Sequence, residues 1–183
     1  VKRGRLLVIS GPSGAGKSEI ARRLAAAGIE RVVTMTTRAP REGESEGEHY
    51  RFVGREEFES RAARGEFLEH AQVDGELYGT PRAEVEKGLS GGRTALLVLD
   101  PQGAAEVKRL GVLAVFVFVA PPDMGELRRR LKARGTESPE AIERRLGRAQ
   151  REMKRRGEYD RVVVNDDVER AAEEILRLVG GEV

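Results

Sequence analysis

Leu6-Leu7-Val8-Ile9-Ser10-Gly11-Pro12-Ser13-Gly14-Ala15-Gly16-Lys17-Ser18 is the stretch on which the fold turns. An apolar run enters a glycine-rich loop and a helical pattern begins at about Lys17, the strand, loop and helix order that a phosphate-binding loop requires. The glycines let backbone N–H groups turn inward around phosphate oxygens. Lys17 brings a mobile positive charge, and the Ser18 hydroxyl stands where it can ligate magnesium at the start of the helix. A glycine-rich turn can also join strand to helix without a ligand, but eight positions from Gly11 to Ser18 fit the motif in its required context. The stretch therefore implies a bound nucleoside triphosphate.

The same rhythm continues downstream. Apolar runs at residues 95–99, 112–119 and 161–164 each lead into a helical pattern. Val115-Phe116-Val117-Phe118 lacks polar alternation, which implies burial on both faces and hence parallel central strands flanked by helices. The expected fold class is α/β, with three α/β/α layers around a parallel sheet and the phosphate loop at the carboxyl end of the first strand.

Two segments break this pattern. Between about residues 33 and 81 the strand candidates (49–53, 67–73 and 76–78) are short, polar-alternating and separated by glycine and charged turns, which reads as a small, mostly antiparallel insertion. Thr80-Pro81 reads as an N-cap and first-turn proline, restarting the main domain with a helix near residues 83–89. From about 127 to 156, arginines crowd two helical segments separated by Gly135-Thr136-Glu137-Ser138-Pro139, in which Ser138 and Pro139 read as cap and first turn. Arg145 and Arg148 fall three apart there and share a face.

Composition narrows the function classes. A chain of 183 residues, 39% hydrophobic and 35% charged, can bury one substantial core beneath a heavily ionised surface, and reads as a single domain. The net charge of +2 gives no concentrated basic stripe, so nucleic acid is not an expected partner. With no cysteine and two histidines there is no disulfide framework or catalytic thiol, and little scope for zinc. The longest apolar stretch is too short to cross a bilayer and the first residues lack a secretory apolar region, so no membrane partner and a cytoplasmic location are expected.

A phosphate loop alone does not separate a motor, a switch, a kinase or a transporter subunit. A second stretch adds chemistry: Thr36-Thr37-Arg38-Ala39-Pro40-Arg41-Glu42-Gly43-Glu44, followed by Gly47-Glu48-His49-Tyr50, gathers two guanidinium groups and a phenol on a turn-rich segment. Arginine offers a planar fork that grips phosphate through paired hydrogen bonds, and Tyr50 can donate another without adding charge. Taken alone, the segment is equally compatible with solvated arginines beside a turn.

Here the chain resembles the guanylate kinase family, from its first residues to its last helix. The resemblance rests on Gly-Pro-Ser-Gly-Ala-Gly-Lys-Ser at 11–18, Thr-Thr-Arg-x-Pro-Arg at 36–41, Gly-Glu-His-Tyr at 47–50, Phe-Leu-Glu-His-Ala at 67–71, Tyr-Gly-Thr at 78–80, Asp-x-Gln-Gly at 100–103 and Val-Asn-Asp-Asp at 164–167, in the family's order and spacing. It implies a core at about 1–33, 82–126 and 157–183, a mixed α/β insertion binding GMP at about 34–81, and a helical lid at about 127–156. The implied reaction is reversible transfer of the γ-phosphoryl group of magnesium-ATP to GMP, and also to dGMP where the site accepts it.

The resemblance also implies roles by position. Gly11, Pro12, Ser13, Gly14, Ala15, Gly16, Lys17 and Ser18 would hold ATP, with Ser18 on magnesium and Asn165 near the adenine. Arg38, Arg41, Tyr50 and Tyr78 would hold the GMP phosphate. Glu69 and Asp100 would receive the guanine N1–H and exocyclic amine, Thr34 would donate to the guanine carbonyl, and Thr80 stands where the family has a serine or threonine. Arg130, Arg134 and Arg145 would direct guanidinium groups at the ATP phosphates, with Lys17 and Arg38 completing the catalytic set; Arg148 is a further candidate. Carboxylates suit guanine because adenine presents an acceptor at N1.

Two positions depart from the family. Val98 replaces the first carboxylate of its usual Asp-x-Asp, and Glu19 follows Ser18 where a second hydroxyl is usual; Glu19 is expected to turn outward onto the helix surface. A related kinase with another acceptor, such as a ribosyl bisphosphate, and a non-catalytic guanylate-kinase-like module that holds phosphorylated protein segments remain alternatives from the sequence.

Overall fold

Side-chain alternation along the first apolar run sets the layering of the molecule. The structure is a computed structural model and describes residues 4–133 and 138–180, so Arg134 lies outside the described residues. The chain runs through β1 (Arg5–Ser10), α1 (Lys17–Ala26), β2 (Glu30–Arg31), β3 (Met35–Thr36), β4 (Arg51–Phe52), α2 (Arg55–Ala63), β5 (Phe67–Val73), β6 (Glu76–Pro81) and α3 (Arg82–Leu89). It continues through β7 (Thr94–Val98), α4 (Pro101–Arg109), β8 (Ala114–Ala120), α5 (Met124–Ala133), α6 (Pro139–Lys154), β9 (Arg161–Val164) and α7 (Val168–Gly180).

Five strands form a parallel sheet in the order β2-β7-β1-β8-β9. Leu7 and Ile9 of β1 pack on one face with Ile20 and Leu24 of α1 and Ile175 of α7. Leu6 and Val8 point the other way, toward Val85 of α3 and Val107 of α4. Period-two geometry thus sends neighbouring residues into different layers, and each fully buried aliphatic side chain stabilises the fold by about 1.5–3 kcal/mol. Both faces are covered, as the absence of polar alternation predicts. The strands β2 and β3 carry no such signal, because each has only two residues.

A second sheet, β4-β3-β6-β5, pairs β3 with β4 in parallel and its other neighbours antiparallel. Its own core joins Met35, Phe58 of α2 and Phe67, with the two phenyl rings stacked 4.5 Å apart. The β5–β6 hairpin turns through Asp74 (φ 53°) and Gly75 (φ 87°), the positive pair that a tight type I′ turn demands.

The Thr80-Pro81 expectation is corrected here. Both residues complete β6 opposite Glu69 and Phe67, and α3 begins one residue later, at Arg82. The Thr80 hydroxyl donates to Glu69 Oε1 at 2.5 Å, so cross-strand pairing has taken the group that would have capped the helix. Ser138 does cap: its hydroxyl accepts from the Ala141 N–H at 3.3 Å, with Pro139 in the first turn of α6. The helices α5 and α6 share a core of their own through Leu127, Leu131, Ile142 and Leu146. Among the described residues no helix is long and apolar enough to cross a membrane.

Candidate active site

The loop after β1 closes tightly because two of its glycines stand where no side chain fits. Gly11 has φ 140°, and a Cβ there would lie 2.2 Å from the Val119 carbonyl oxygen; at Gly16, φ 91°, it would lie 2.1 Å from Asn165 Nδ2. Gly16 is also the left-handed N-cap of α1, and no side chain caps the helix. The positive end of the helix dipole is therefore left for an anion. Lys17 is folded across the loop, donating from Nζ to the carbonyl oxygens of Gly11 (2.6 Å) and Pro12 (3.0 Å).

The loop is braced from its far side. Asn165, 5% exposed, donates from Nδ2 to the Ala15 carbonyl oxygen at 2.8 Å. Arg130 donates from Nη2 to the Asn165 carbonyl oxygen (2.8 Å), from Nη1 to that of Ala15 (3.5 Å), and from Nε to Glu126 (2.6 Å). Asn165 and Arg130 thus support the loop, and neither lines the cavity in front of it.

That cavity measures about 660 Å³ and joins the loop, the second sheet and α6, a size suited to small-molecule ligands. On the second-sheet side, Arg38 Nη2 donates to both Glu44 oxygens at 2.9 Å, and Glu44 Oε2 also accepts from the Arg41 N–H at 2.8 Å. The Arg38 guanidinium lies 5.4 Å from the centre of the Tyr50 ring, and the Tyr50 and Tyr78 rings are 6.0 Å apart. Buried Arg38 Nε has no hydrogen-bond partner among the described residues, which leaves a donor unspent beside the cavity. Burial pushes the Tyr50 phenol up, with Tyr78 beside it adding to the effect, so it stays a neutral donor.

Deeper in, Glu69 is 6% exposed and Thr34 7%. Burial pushes the Glu69 carboxyl up to about 7 against the pull of the Thr80 hydroxyl, and neighbouring Asp100 raises it further. Asp100 caps α4, its Oδ1 accepting from the Gly103 N–H at 2.8 Å. A Cβ on Gly103 would lie 3.0 Å from Glu69 Oε2 and 3.3 Å from Asp100 Oδ1, so the missing side chain there lets the two carboxylates converge.

From α6, Arg145 Nη1 reaches the Ser13 hydroxyl at 3.4 Å and Arg148 bonds Asp100. Glu19 borders the cavity but turns its carboxylate along the helix to Arg22 (2.5 Å) and Arg23 (3.3 Å). Val98 brings an apolar side chain to the cavity at the end of β7. No cluster of three histidine, cysteine or acidic side chains able to hold a metal occurs among the described residues. The Ser18 hydroxyl in the cavity wall is a hard oxygen donor, which fits magnesium that takes most of its ligands from phosphates and water.

The structure thus brings Gly11, Ser13, Gly14, Gly16, Lys17 and Ser18 of the loop to one cavity. Thr34, Arg38, Arg41, Tyr50, Tyr78, Glu69, Asp100 and Arg145 line it as well. Pro12 and Ala15 contribute backbone oxygens to the loop's own bonding, and Thr80 acts through Glu69. Sequence reasoning gave Glu44 no role of its own and missed Asp74 entirely, although Asp74-Gly75 is a recognisable turn dipeptide.

The guanylate kinase family profile matches residues 3–181 of the chain. A guanylate kinase of Rubrobacter xylanophilus is 48% identical over 181 residues, spanning 98% of this chain and 95% of the relative. One from Parasynechococcus marenigrum is 48% identical over 179 residues, spanning 97% and 98%. The crystal structure of guanylate kinase from Anaplasma phagocytophilum superposes with a TM-score of 0.81 at 38% identity, covering 98% of this chain and 86% of that one.

Proposed function

The chain belongs to the guanylate kinase family, and from that premise we propose how its own side chains carry out the reaction. The activity is ATP:GMP phosphotransfer, giving ADP and GDP. The observation that carries the residue-level reading is the single cavity in which a phosphate loop, an arginine–tyrosine clamp and two converging carboxylates meet.

An oxygen of the GMP phosphate attacks the γ-phosphorus of ATP while the bond from that phosphorus to the β,γ-bridging oxygen breaks, leaving ADP. The acceptor phosphate has lost most of its second proton by neutral pH, so the protein needs no strong general base and works mainly by positioning charge. Arg38, Arg41, Tyr50 and Tyr78 hold the acceptor phosphate, with Glu44 keeping the Arg38 fork in place. Glu69 and Asp100 accept the guanine N1–H and amine, Thr34 donates to the carbonyl, and Thr80 orients Glu69.

The loop from Gly11 to Ser18 cradles the triphosphate through its backbone. Lys17 swings from the Gly11 and Pro12 carbonyls onto the phosphates, joined by Arg145 and by Arg134. Arg130 and Asn165 enter this reading as supports of the loop, through bonds from both to the Ala15 carbonyl and from Arg130 to the Asn165 carbonyl. Ser18 would hold magnesium, which when bound withdraws charge from the phosphate oxygens. A cytoplasmic setting suits these nucleotide substrates.

The test is ADP formation with magnesium-ATP and GMP, with AMP, CMP and UMP as rival acceptors and Lys17→Ala as the control for contaminating kinase. Turnover selective for GMP and lost in Lys17→Ala, with the variant's melting temperature preserved, is the expected result. Near-normal turnover in Lys17→Ala would remove that side chain from the mechanism.

A further inference from the structure

One guanidinium on the lid helix α6 meets carboxylates from three parts of the fold. Arg148 donates from Nε to Glu152 of the same helix at 2.7 Å, from Nη1 to Asp74 Oδ1 at 3.2 Å, and from Nη2 to Asp100 Oδ2 at 3.2 Å. Asp74 sits at the tip of the β5–β6 hairpin and Asp100 at the start of α4, so the three bonds tie the lid to the second sheet and to the core. The fork geometry of arginine allows this; a lysine ammonium is one point charge on a flexible stem and cannot span three separated partners.

The consequence falls on Asp100. Its Oδ1 is already fixed by the Gly103 N–H at 2.8 Å, and Arg148 fixes Oδ2. Held at both oxygens, the carboxylate has one orientation, beside Glu69 across Gly103. Without Arg148, rotation about the Cβ–Cγ bond would be checked at one oxygen only. Arg148 is itself committed to three carboxylates, and Arg145 on the same helix face already reaches the loop that takes the triphosphate.

We propose that Arg148 is a positioning residue for acceptor recognition: by bonding Asp100 from the lid, it orients the carboxylate that reads the base and makes that reading depend on lid closure. The inference rests on the assignment of Asp100 to the exocyclic amine of guanine. The contact to Asp74 ties the lid to the hairpin tip at the cavity's edge, where the Asp74 side chain is 69% accessible and makes no bond to Asp100.

The test compares kcat and KM for GMP and for IMP, whose base keeps the N1–H and the carbonyl but lacks the exocyclic amine, in wild type, Arg148→Met, Arg148→Lys and Asp74→Asn. Loss of a bond between charged groups at the reader is expected to lower the GMP:IMP preference in kcat/KM about tenfold in Arg148→Met, chiefly through KM for GMP. Arg148→Lys is expected to recover part of it, and Asp74→Asn to keep the wild-type preference. An unchanged preference in Arg148→Met with the fold intact by circular dichroism overturns the proposal. An equal fall in Asp74→Asn overturns it too, by putting the effect in closure rather than in Asp100. Should Arg148→Met fail to fold, a wild-type preference in Arg148→Lys with raised KM for both acceptors counts against it. A wild-type protein that does not phosphorylate GMP would sink the functional reading itself, a result separate from all of these.

Discussion

Replacing Glu69 by glutamine should make the protein more stable at alkaline pH while damaging its recognition of guanine. The carboxyl is 6% exposed and pushed up from its ordinary 4.5 to about 7, first by burial, with Asp100 adding to the effect. A folded-state pKa above the unfolded one means that the folded protein holds the proton more tightly. That relative stabilisation is complete below about 4.5 and is lost as the pH rises through about 7. At ~1.4 kcal/mol per pH unit, the interval amounts to about 3 kcal/mol, most of which falls between about pH 5 and about pH 8.5. Glutamine keeps an oxygen to accept the Thr80 hydroxyl and does not titrate. Urea unfolding of both proteins at the two pH values supplies the assay: the variant should gain on wild type by about 2–3 kcal/mol between acid and alkaline conditions. A stability difference that is the same at both pH values would refute the argument, because it would mean that Glu69 carries no raised pKa in the folded state.

Two more predictions concern the same cavity. A Glu69 that is protonated in the free protein and ionised against the guanine N1–H should release most of a proton on GMP binding about one pH unit below 7 and little well above it. Calorimetry in buffers of different ionisation enthalpy measures the release, and Glu69→Gln subtracts the part due to the GMP phosphate; equal release from both proteins would contradict the assignment. Val98→Asp should restore a carboxylate at the end of β7 and lower the magnesium concentration for half-maximal turnover several-fold, with little change in KM for GMP. A magnesium titration that superposes on wild type would show that Val98 is no deficit.

What could be read from the sequence was local. The phosphate loop is legible because its chemistry needs glycines, a lysine and a hydroxyl at consecutive positions, and the central strands because burial on both faces removes alternation from β8. Glu30-Arg31 could not be read, since two charged residues form β2 only through pairing with β7. Thr80 was misread for a related reason: Thr-Pro is a sound helix-start signal on its own, and it is overridden by Glu69, eleven residues earlier. That Arg130 and Asn165 both bond the Ala15 carbonyl follows from the fold and from no local pattern, although the family resemblance places both near the nucleotide. The contact between Arg148 and Asp74 spans 74 positions of sequence and lies beyond any motif.

The bond from Asn165 to Ala15 joins residues 150 positions apart, and this orders events during synthesis. When the ribosome has made the phosphate loop and the helix after it, the strand that carries the brace does not yet exist, and nor does β8, whose Val119 carbonyl packs against Gly11. The nascent loop therefore lacks both its brace and its packing partner, and its finished shape waits until Val119 and Asn165 have emerged. The phosphate loop, legible from its own residues, thus depends for its final shape on a residue made 150 positions later.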